Sequence, residues 1–266
     1  MRIARFTTGE DPQYGVVTGD VDANGIPDEA CKVVALSGDP LHVGIHLSGQ
    51  EHELGDVRLL SPVLPRSKVV GIGKNYAAHA AEMGSDVPAE PLMFLKPNTS
   101  VIGPGDPIFY PEQSHEVHFE GELGVVISRI CRDVPKERVQ DVIWGYTVGN
   151  DVTARDLQRN DVQFTRSKGF DTFCPLGPWV ETELDTSDLA VRTFLNGDLK
   201  QDGSTKDLIF DIPTLVAHVS SVMTLLPGDV ILTGTPEGVG PMQPGDDVEV
   251  CVDGIGALTN KVVKRD

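Results

Sequence analysis

Cysteine is scarce in this chain of 266 residues: four are present, at positions 31, 131, 174 and 251, far apart and without a Cys-x-x-Cys pair. That spacing suggests neither a zinc site nor a disulfide framework, and it suits a reducing compartment. Long hydrophobic runs are absent too, and no stretch approaches the roughly 20 apolar residues of a membrane span. The opening residues, Met1 to Phe6, reach Thr7-Thr8-Gly9 before an apolar signal core can form, so no secretory leader is expected. The expectation is a soluble, cytoplasmic protein with no membrane partner. Basic residues are few, 22 Lys and Arg against 40 Asp and Glu, for a formal net charge of −18. Nucleic-acid phosphates are met by clustered Lys and Arg, so nucleic acid is not an expected partner. The same negative field attracts metal cations and repels an anionic substrate unless a local positive centre draws it in.

Glycine and proline, 28 and 19 residues, point to many short strands joined by tight turns rather than a helical bundle. Residues 1–60 read as short β-elements with turns at Thr18-Gly19-Asp20 and Asn24-Gly25; Asn-Gly is a strong hairpin signal because a type I′ turn needs positive φ twice. His42, His46 and His52 lie there without a mutual pattern and read as solvated loop residues. Ser61-Pro62-Val63-Leu64-Pro65 reads as a linker, since each proline also biases its predecessor toward extended backbone. Beyond it comes a strand over 68–72, and helical patterns cover 76–83, 135–142, 155–165 and 212–224. Few helices separate the strands, which disfavours a (β/α)₈ barrel or a doubly wound sheet. The expected fold is mixed α+β and β-rich, a curled mixed sheet with a few packing helices. It divides into a small N-terminal domain, 1–60, and a catalytic domain, 61–266.

Two glutamates separated by one glycine, Glu120-Gly121-Glu122, head the apolar run Leu123-Gly124-Val125-Val126-Ile127. In an extended chain residues i and i+2 share a face, about 6.6 Å apart. Two carboxylates at that spacing repel unless a cation lies between them; the alternative is a half-exposed strand with its polar face, His118 included, in water. Gly121 permits close backbone approach, and the apolar continuation favours burial. Asp151 follows the apolar segment 144–150 and precedes Thr153-Ala154-Arg155-Asp156, which has capping-box spacing. Alone, Asp151 reads as part of that cap. With the glutamates it completes three hard oxygen ligands suited to Mg²⁺ or Mn²⁺, whereas zinc recruits nitrogen or sulfur.

Three carboxylates and one divalent cation leave a formal −1, so an anionic substrate needs a further positive group. Lys168, in Arg166-Ser167-Lys168-Gly169, is the candidate, against the ordinary reading of an exposed loop lysine. On a helix over 76–83, His79 and Glu82 are i and i+3 neighbours. A carboxylate beside an imidazole orients it and raises its basicity, as a general base requires; a surface pair is the alternative. Gly71-Ile72-Gly73 lacks the third glycine of a dinucleotide fingerprint, and there is no P-loop. Thr233-Gly234-Thr235-Pro236-Glu237-Gly238 either serves turns or forms a backbone nest for a substrate carboxylate.

Taken together, GIGKNYAAHAAEMG, PLMFLKPNTSVIG, HFEGELGVVI, GYTVGNDVTARDLQ, KGFDTFCPLGPW and LTGTPEGVG, between Gly71 and Met242, resemble the fumarylacetoacetate hydrolase family. Residues 1–60 resemble the variable N-terminal domain of its shorter bacterial members. The resemblance implies a curled mixed β-roll and a homodimer. It implies Mg²⁺ or Mn²⁺ held by Glu120, Glu122 and Asp151, with Lys168 as the active-site lysine. Tyr76, Gln158 and Thr235 would contact the substrate, Thr235 through its carboxylate, and His79 and Glu82 would ride on a lid.

The reaction expected from these parts is cleavage of a C–C bond in a small anionic 2-oxo acid through a metal-stabilised enolate. It would be either acylpyruvate hydrolysis, with His79 and Glu82 activating water, or oxaloacetate decarboxylation. Isomerisation of a 2-hydroxyhepta-2,4-diene-1,7-dioate uses the same enolate and is the alternative. A catalytically silent metal- or ligand-binding protein is the alternative of another class.

Overall fold

The apolar run after Glu122 forms the central strand of the molecule, Gly121–Ile127, buried along its whole length. In the computed structural model, which describes residues 1–22, 25, 27–28 and 30–264, this strand pairs antiparallel with Ile143–Asn150 on one side and Val230–Leu232 on the other. Past Ile143–Asn150 the sheet continues through Cys174–Glu181, Arg2–Thr7, Gln13–Thr18, Lys32–Leu36 and Leu47–Glu53; past Val230–Leu232 come Val69–Gly73 and the edge strand Leu92–Lys96. Val69–Gly73 runs parallel to Val230–Leu232 while most other pairs are antiparallel, so the sheet is mixed.

A strand covered on both faces reads as a continuous apolar run rather than an alternating one. Leu123, Val125 and Ile127 enter one core with Val191, Val250 and Leu215 of the helix Ile212–Val222, while Val126 enters the opposite core with Val180, Val230 and Leu232. Each such side chain contributes roughly 1.5–3 kcal/mol by leaving water. The N-terminal strands join this same sheet edge to edge: Arg2–Thr7 pairs with Cys174–Glu181, although residues 61–68 carry no strand.

A five-stranded sheet, Asp198–Ser204, Ala190–Leu195, Asp247–Val252, Gly256–Lys264 and Ile108–Tyr110, packs against this core, and a three-stranded one joins Thr153–Ala154, Val117–Phe119 and Gly240–Met242. The small sheet positions the site. Its three strands continue three adjacent strands of the large sheet: Val117–Phe119 runs into Gly121–Ile127, Ile143–Asn150 into Thr153–Ala154, and Val230–Leu232 into Gly240–Met242. The chain therefore crosses between sheets at Glu120, at Asp151-Val152 and at 233–239. Asp151 N–H donates to Glu120 O at 2.8 Å, and Glu120 N–H donates to Asn150 Oδ1 at 3.0 Å, which locks two of these crossings together.

Several local expectations change. The pattern over 155–165 forms two short helices, Arg155–Asn160 and Thr165–Lys168, because the chain turns extended at Asp161. The residues 136–142 wind as a 3₁₀-helix, and the helix at 76–83 spans Ala77–Glu82. Thr153 does not cap its helix: its hydroxyl bonds Asp151 O, and Asp156 takes Ser114 Oγ and His115 N–H instead. Gly19 turns with φ 102°, as its Thr-Gly-Asp setting predicts; the Asn24-Gly25 turn falls on a position outside the described residues. Among the described residues no helix is long and apolar enough to cross a membrane.

Candidate active site

Two of the sheet crossings bring Glu120, Glu122 and Asp151 together, with one oxygen of each within 4.8 Å of the others, all buried, and the third supplies the Gly234 N–H to Glu122. Such proximity is costly without compensation, and the chain supplies three cations. Lys168 Nζ donates to Glu120 Oε2 at 2.7 Å and to Asp151 Oδ2 at 2.6 Å. Lys96 Nζ donates to Asp151 Oδ1 at 2.5 Å, and Arg155 Nη2 donates to Glu120 Oε1 at 2.5 Å.

The carboxylates are not equivalent. Burial opposes the charge on Glu120, but Lys168 and Arg155 outweigh it and hold the carboxyl well below its usual range. Glu122, 1% exposed, receives the Gly234 N–H at 2.7 Å and no other hydrogen bond among the described residues. Burial first, then the charges of Asp151 and Glu120, raise its pKa well above the ordinary value. Burial also works against the Lys168 ammonium, yet Asp151 and Glu120 win and its pKa rises. Lys168 is thus a buried cation rather than a loop lysine. Its Nζ lies 4.9 Å from the centroid of the Phe94 ring, which meets Phe164 edge-on. Gly71 lacks the side chain that would overlap that ring.

Divalent cations such as Mg²⁺ and Mn²⁺ prefer an all-oxygen donor set, and these residues fit one. Each oxygen of Glu120 and Asp151 keeps lone-pair capacity beyond its single ammonium or guanidinium contact, and among the described residues the Glu122 oxygens make no salt bridge. Lys168 and the Gly234 N–H only partly offset the repulsion at Glu122, and a divalent ion would remove the remainder. The charge count differs from the expected −1: three carboxylates face three cations, so a bound divalent ion leaves a formal +2.

A pocket of about 210 Å³ opens over this cluster, lined among others by His79, Glu120, Glu122, Gln158, Lys168 and Thr235. A larger groove of about 660 Å³, against Leu59, Pro104 and Trp179, contains none of these residues. His79 is buried and its Nδ1 lies 3.2 Å from Glu82 Oε2; Glu82 Oε1 accepts the Gly238 N–H at 3.0 Å. Gln158 Oε1 accepts from Arg155 Nη1 at 2.6 Å.

Two expected substrate contacts sit differently. Tyr76 is buried before the helix Ala77–Glu82, bridged to Leu208, and does not line the pocket. Its phenol pKa is raised by burial and then by the nearby Glu122 carboxylate. The Thr235 hydroxyl donates to Gly121 O at 2.9 Å and accepts from Gln201 Nε2 at 2.8 Å, so its proton is already committed. The glycine-rich loop does present N–H groups to carboxylates, but those of Glu122 and Glu82. His118 does not line the pocket; its Nε2 lies 3.1 Å from Glu116 Oε1. His52 is not in open solvent but packs on Phe6, ring centroids 5.6 Å apart.

Lys96 and Arg155 were not singled out by the sequence. The only signal for Lys96 was a charge closing an apolar strand; Arg155 stood within the supposed cap.

Comparison with known proteins agrees with this geometry. Residues 68–263 match the family model described as fumarylacetoacetate (FAA) hydrolase C-terminal, and residues 1–62 match one described as Rv2993c-like, N-terminal. Protein Rv2993c of Mycobacterium tuberculosis is 50% identical over 100% of this chain and 99% of its own length. The mitochondrial oxaloacetate tautomerase fahd2 of Xenopus laevis is 42% identical over 82% of this chain and 72% of its own. Among solved structures, the 2-hydroxyhepta-2,4-diene-1,7-dioate isomerase of Mycobacterium marinum superposes with a TM-score of 0.90 at 46% identity, covering 100% of this chain and 99% of that one. Fumarylpyruvate hydrolase of Pseudomonas aeruginosa, solved with Mn²⁺ and pyruvate, gives 0.72 at 34% identity, covering 78% and 92%.

Proposed function

The chain belongs to the fumarylacetoacetate hydrolase family, and from that premise we propose that it cleaves a carbon–carbon bond in a small anionic 2-oxo acid. The observation that carries this reading is that His79, held by Glu82, lines one pocket with Glu120 and Glu122, two members of the three-carboxylate cluster. Glu120, Glu122 and Asp151 would hold a divalent ion, whose Lewis acidity would stabilise negative charge developing on the 2-oxo oxygen.

The residues of the chain do the rest. Lys168, Arg155 and Lys96 leave the loaded site cationic, which offsets the overall charge of −18 and favours an anion locally. Glu82 orients His79 through Nδ1, leaving Nε2 to take a proton. In acylpyruvate hydrolysis His79 removes a proton from water as its oxygen bonds to the acyl carbon. The C3–acyl bond then breaks with its electron pair on the pyruvate fragment, and a proton returns to C3. With oxaloacetate the C3–carboxylate bond breaks instead, CO₂ leaves and C3 is protonated. Lys168, desolvated at the pocket floor, stabilises the charge throughout.

The names of the relatives favour a second reading, keto–enol tautomerisation or double-bond isomerisation, in which His79 moves the C3 proton and no carbon bond breaks. Incubating the enzyme with Mn²⁺ and either acetylpyruvate or oxaloacetate in deuterium oxide, followed by NMR, separates the two. Pyruvate formation above the metal-only background supports cleavage. Deuterium at C3 of unbroken oxaloacetate supports tautomerisation. Neither, in a protein that binds Mn²⁺, overturns the proposal.

A further inference from the structure

Gln201 lies on the strand Asp198–Ser204 of the five-stranded sheet, outside every motif considered above, yet it is fully buried beside the site. All four hydrogen-bonding positions of its amide are used. Oε1 accepts from Gly121 N–H at 2.9 Å and from Thr193 Oγ1 at 2.7 Å. Nε2 donates to Thr235 Oγ1 at 2.8 Å and to Pro236 O at 2.8 Å.

The amide orientation is determined by these partners. A backbone N–H can only donate and a carbonyl can only accept, so Oε1 must face Gly121 and Nε2 must face Pro236. Thr235 therefore receives a proton from Gln201 and has one proton of its own, which goes to Gly121 O at 2.9 Å. The result is a closed ring, Gly121 N–H to Gln201, Gln201 to Thr235, Thr235 to Gly121 O. It engages both backbone groups of the residue between the two glutamates. Gly121 has no side chain, and a Cβ there would overlap Thr193 Oγ1.

The same loop continues to the lid. Gly234 N–H holds Glu122 Oε2, and Gly238 N–H holds Glu82 Oε1. We infer that Gln201 is a positioning residue: through Thr235 and Gly121 it sets the spacing between the Glu120–Glu122 pair and the 233–238 loop, and so places Glu82 and His79 over the cluster. It touches no ligand itself. The consequence for catalysis rests on the proposed reaction; the positioning role does not.

The test is amide hydrogen exchange by mass spectrometry on the full-length Gln201→Met protein, which keeps the side-chain length and removes the amide. Exchange is expected to accelerate in segments 119–124, 233–240 and 76–83, while 190–196 and 247–263 keep their protection. Thr235→Val breaks the ring from its other side and must reproduce the pattern; it serves as the test if Gln201→Met fails to fold. With a turned-over substrate, each single variant is expected to lose about ten- to hundredfold in kcat, and the double variant no more than the worse single one. Unchanged exchange at 119–124 and 233–240 overturns the inference. Acceleration spread evenly over the five-stranded sheet also overturns it, because Gln201 would then be a packing residue. Multiplicative losses in the double variant overturn the route through Thr235. Absence of turnover in the unmodified protein counts against the reaction and leaves the exchange result to decide the positioning.

Discussion

Glu82 accepts a hydrogen bond from the backbone of Gly238, at 3.0 Å, across 156 residues of sequence. That single contact ties the six-residue helix carrying His79 to the loop that also contacts Glu122. Helices this short are unstable alone, so the placement of His79 depends on where its neighbour Glu82 is anchored. Glu82 thus has two partners, the imidazole at one oxygen and the Gly238 loop at the other.

Glu82→Gln and Glu82→Ala separate those contacts. A glutamine oxygen still accepts from Gly238, but its NH₂ replaces an acceptor beside His79 Nδ1 and favours the wrong tautomer. Both variants are expected to lose on the order of 10²–10⁴ in kcat. Only Glu82→Ala should loosen residues 76–83, which hydrogen exchange would reveal. Equal loosening in both would show that the latch is not at Gly238.

Lys96→Met leaves Asp151 Oδ1 without its 2.5 Å partner in a site where both side chains are almost wholly buried. Breaking one side of a buried pair costs about 3–5 kcal/mol, so the metal-free variant should melt well below the parent. Removing a cation from the cluster should also tighten Mn²⁺ binding. Chemical denaturation without metal and calorimetric Mn²⁺ titration measure the two effects. A variant as stable as the parent, with unchanged Mn²⁺ affinity, would deny Lys96 this role.

Glu122→Gln tests the metal assignment in the opposite direction. The neutral isostere removes a carboxyl that Asp151 and Glu120 repel, and its Nε2 or Oε1 can occupy the same space. Metal-free stability should hold or rise, while the gain in Tm from added Mn²⁺ or Mg²⁺ falls at least tenfold in apparent affinity, about 1.4 kcal/mol. An undiminished metal-dependent gain would remove Glu122 from the ligand set.

Alkaline pH probes the buried thiols. Burial raises Cys174 to about 12, and burial followed by the Glu249 charge raises Cys251 to about 12, both from 9.0. A folded-state pKa above the unfolded one stabilises the protein below the unfolded value and loses that stabilisation as pH rises through the folded value. Stability should therefore decline between pH 9 and 12, more shallowly in Cys174→Ala measured relative to its own value at pH 8. Both thiols should resist iodoacetamide at pH 8 in the native state and react once unfolded. Rapid native labelling of Cys174 would contradict its burial.

What the sequence determined by itself was local or carried in contiguous motifs. The Glu120-Gly121-Glu122 spacing, the apolar strand behind it and the i, i+3 relation of His79 to Glu82 follow from backbone periodicity, which needs no knowledge of distant residues. The family's motifs, in order from Gly71 to Met242, indicated the β-rich fold class. Tertiary structure alone decided which charges share the site. Lys96 reaches Asp151 across 55 residues, and Arg155 reaches Glu120 across 35; a lysine or arginine in sequence carries no mark of its eventual partner. Gln201, 80 residues from Gly121, comes from another sheet entirely. The expected long helix over 155–165 ends at Asn160, where the chain turns extended at Asp161, and a second short helix, Thr165–Lys168, carries Lys168 to two buried carboxylates. Helical and extended propensities act over a few residues, whereas a buried ion cluster is assembled only when three separate strands cross between sheets at one place.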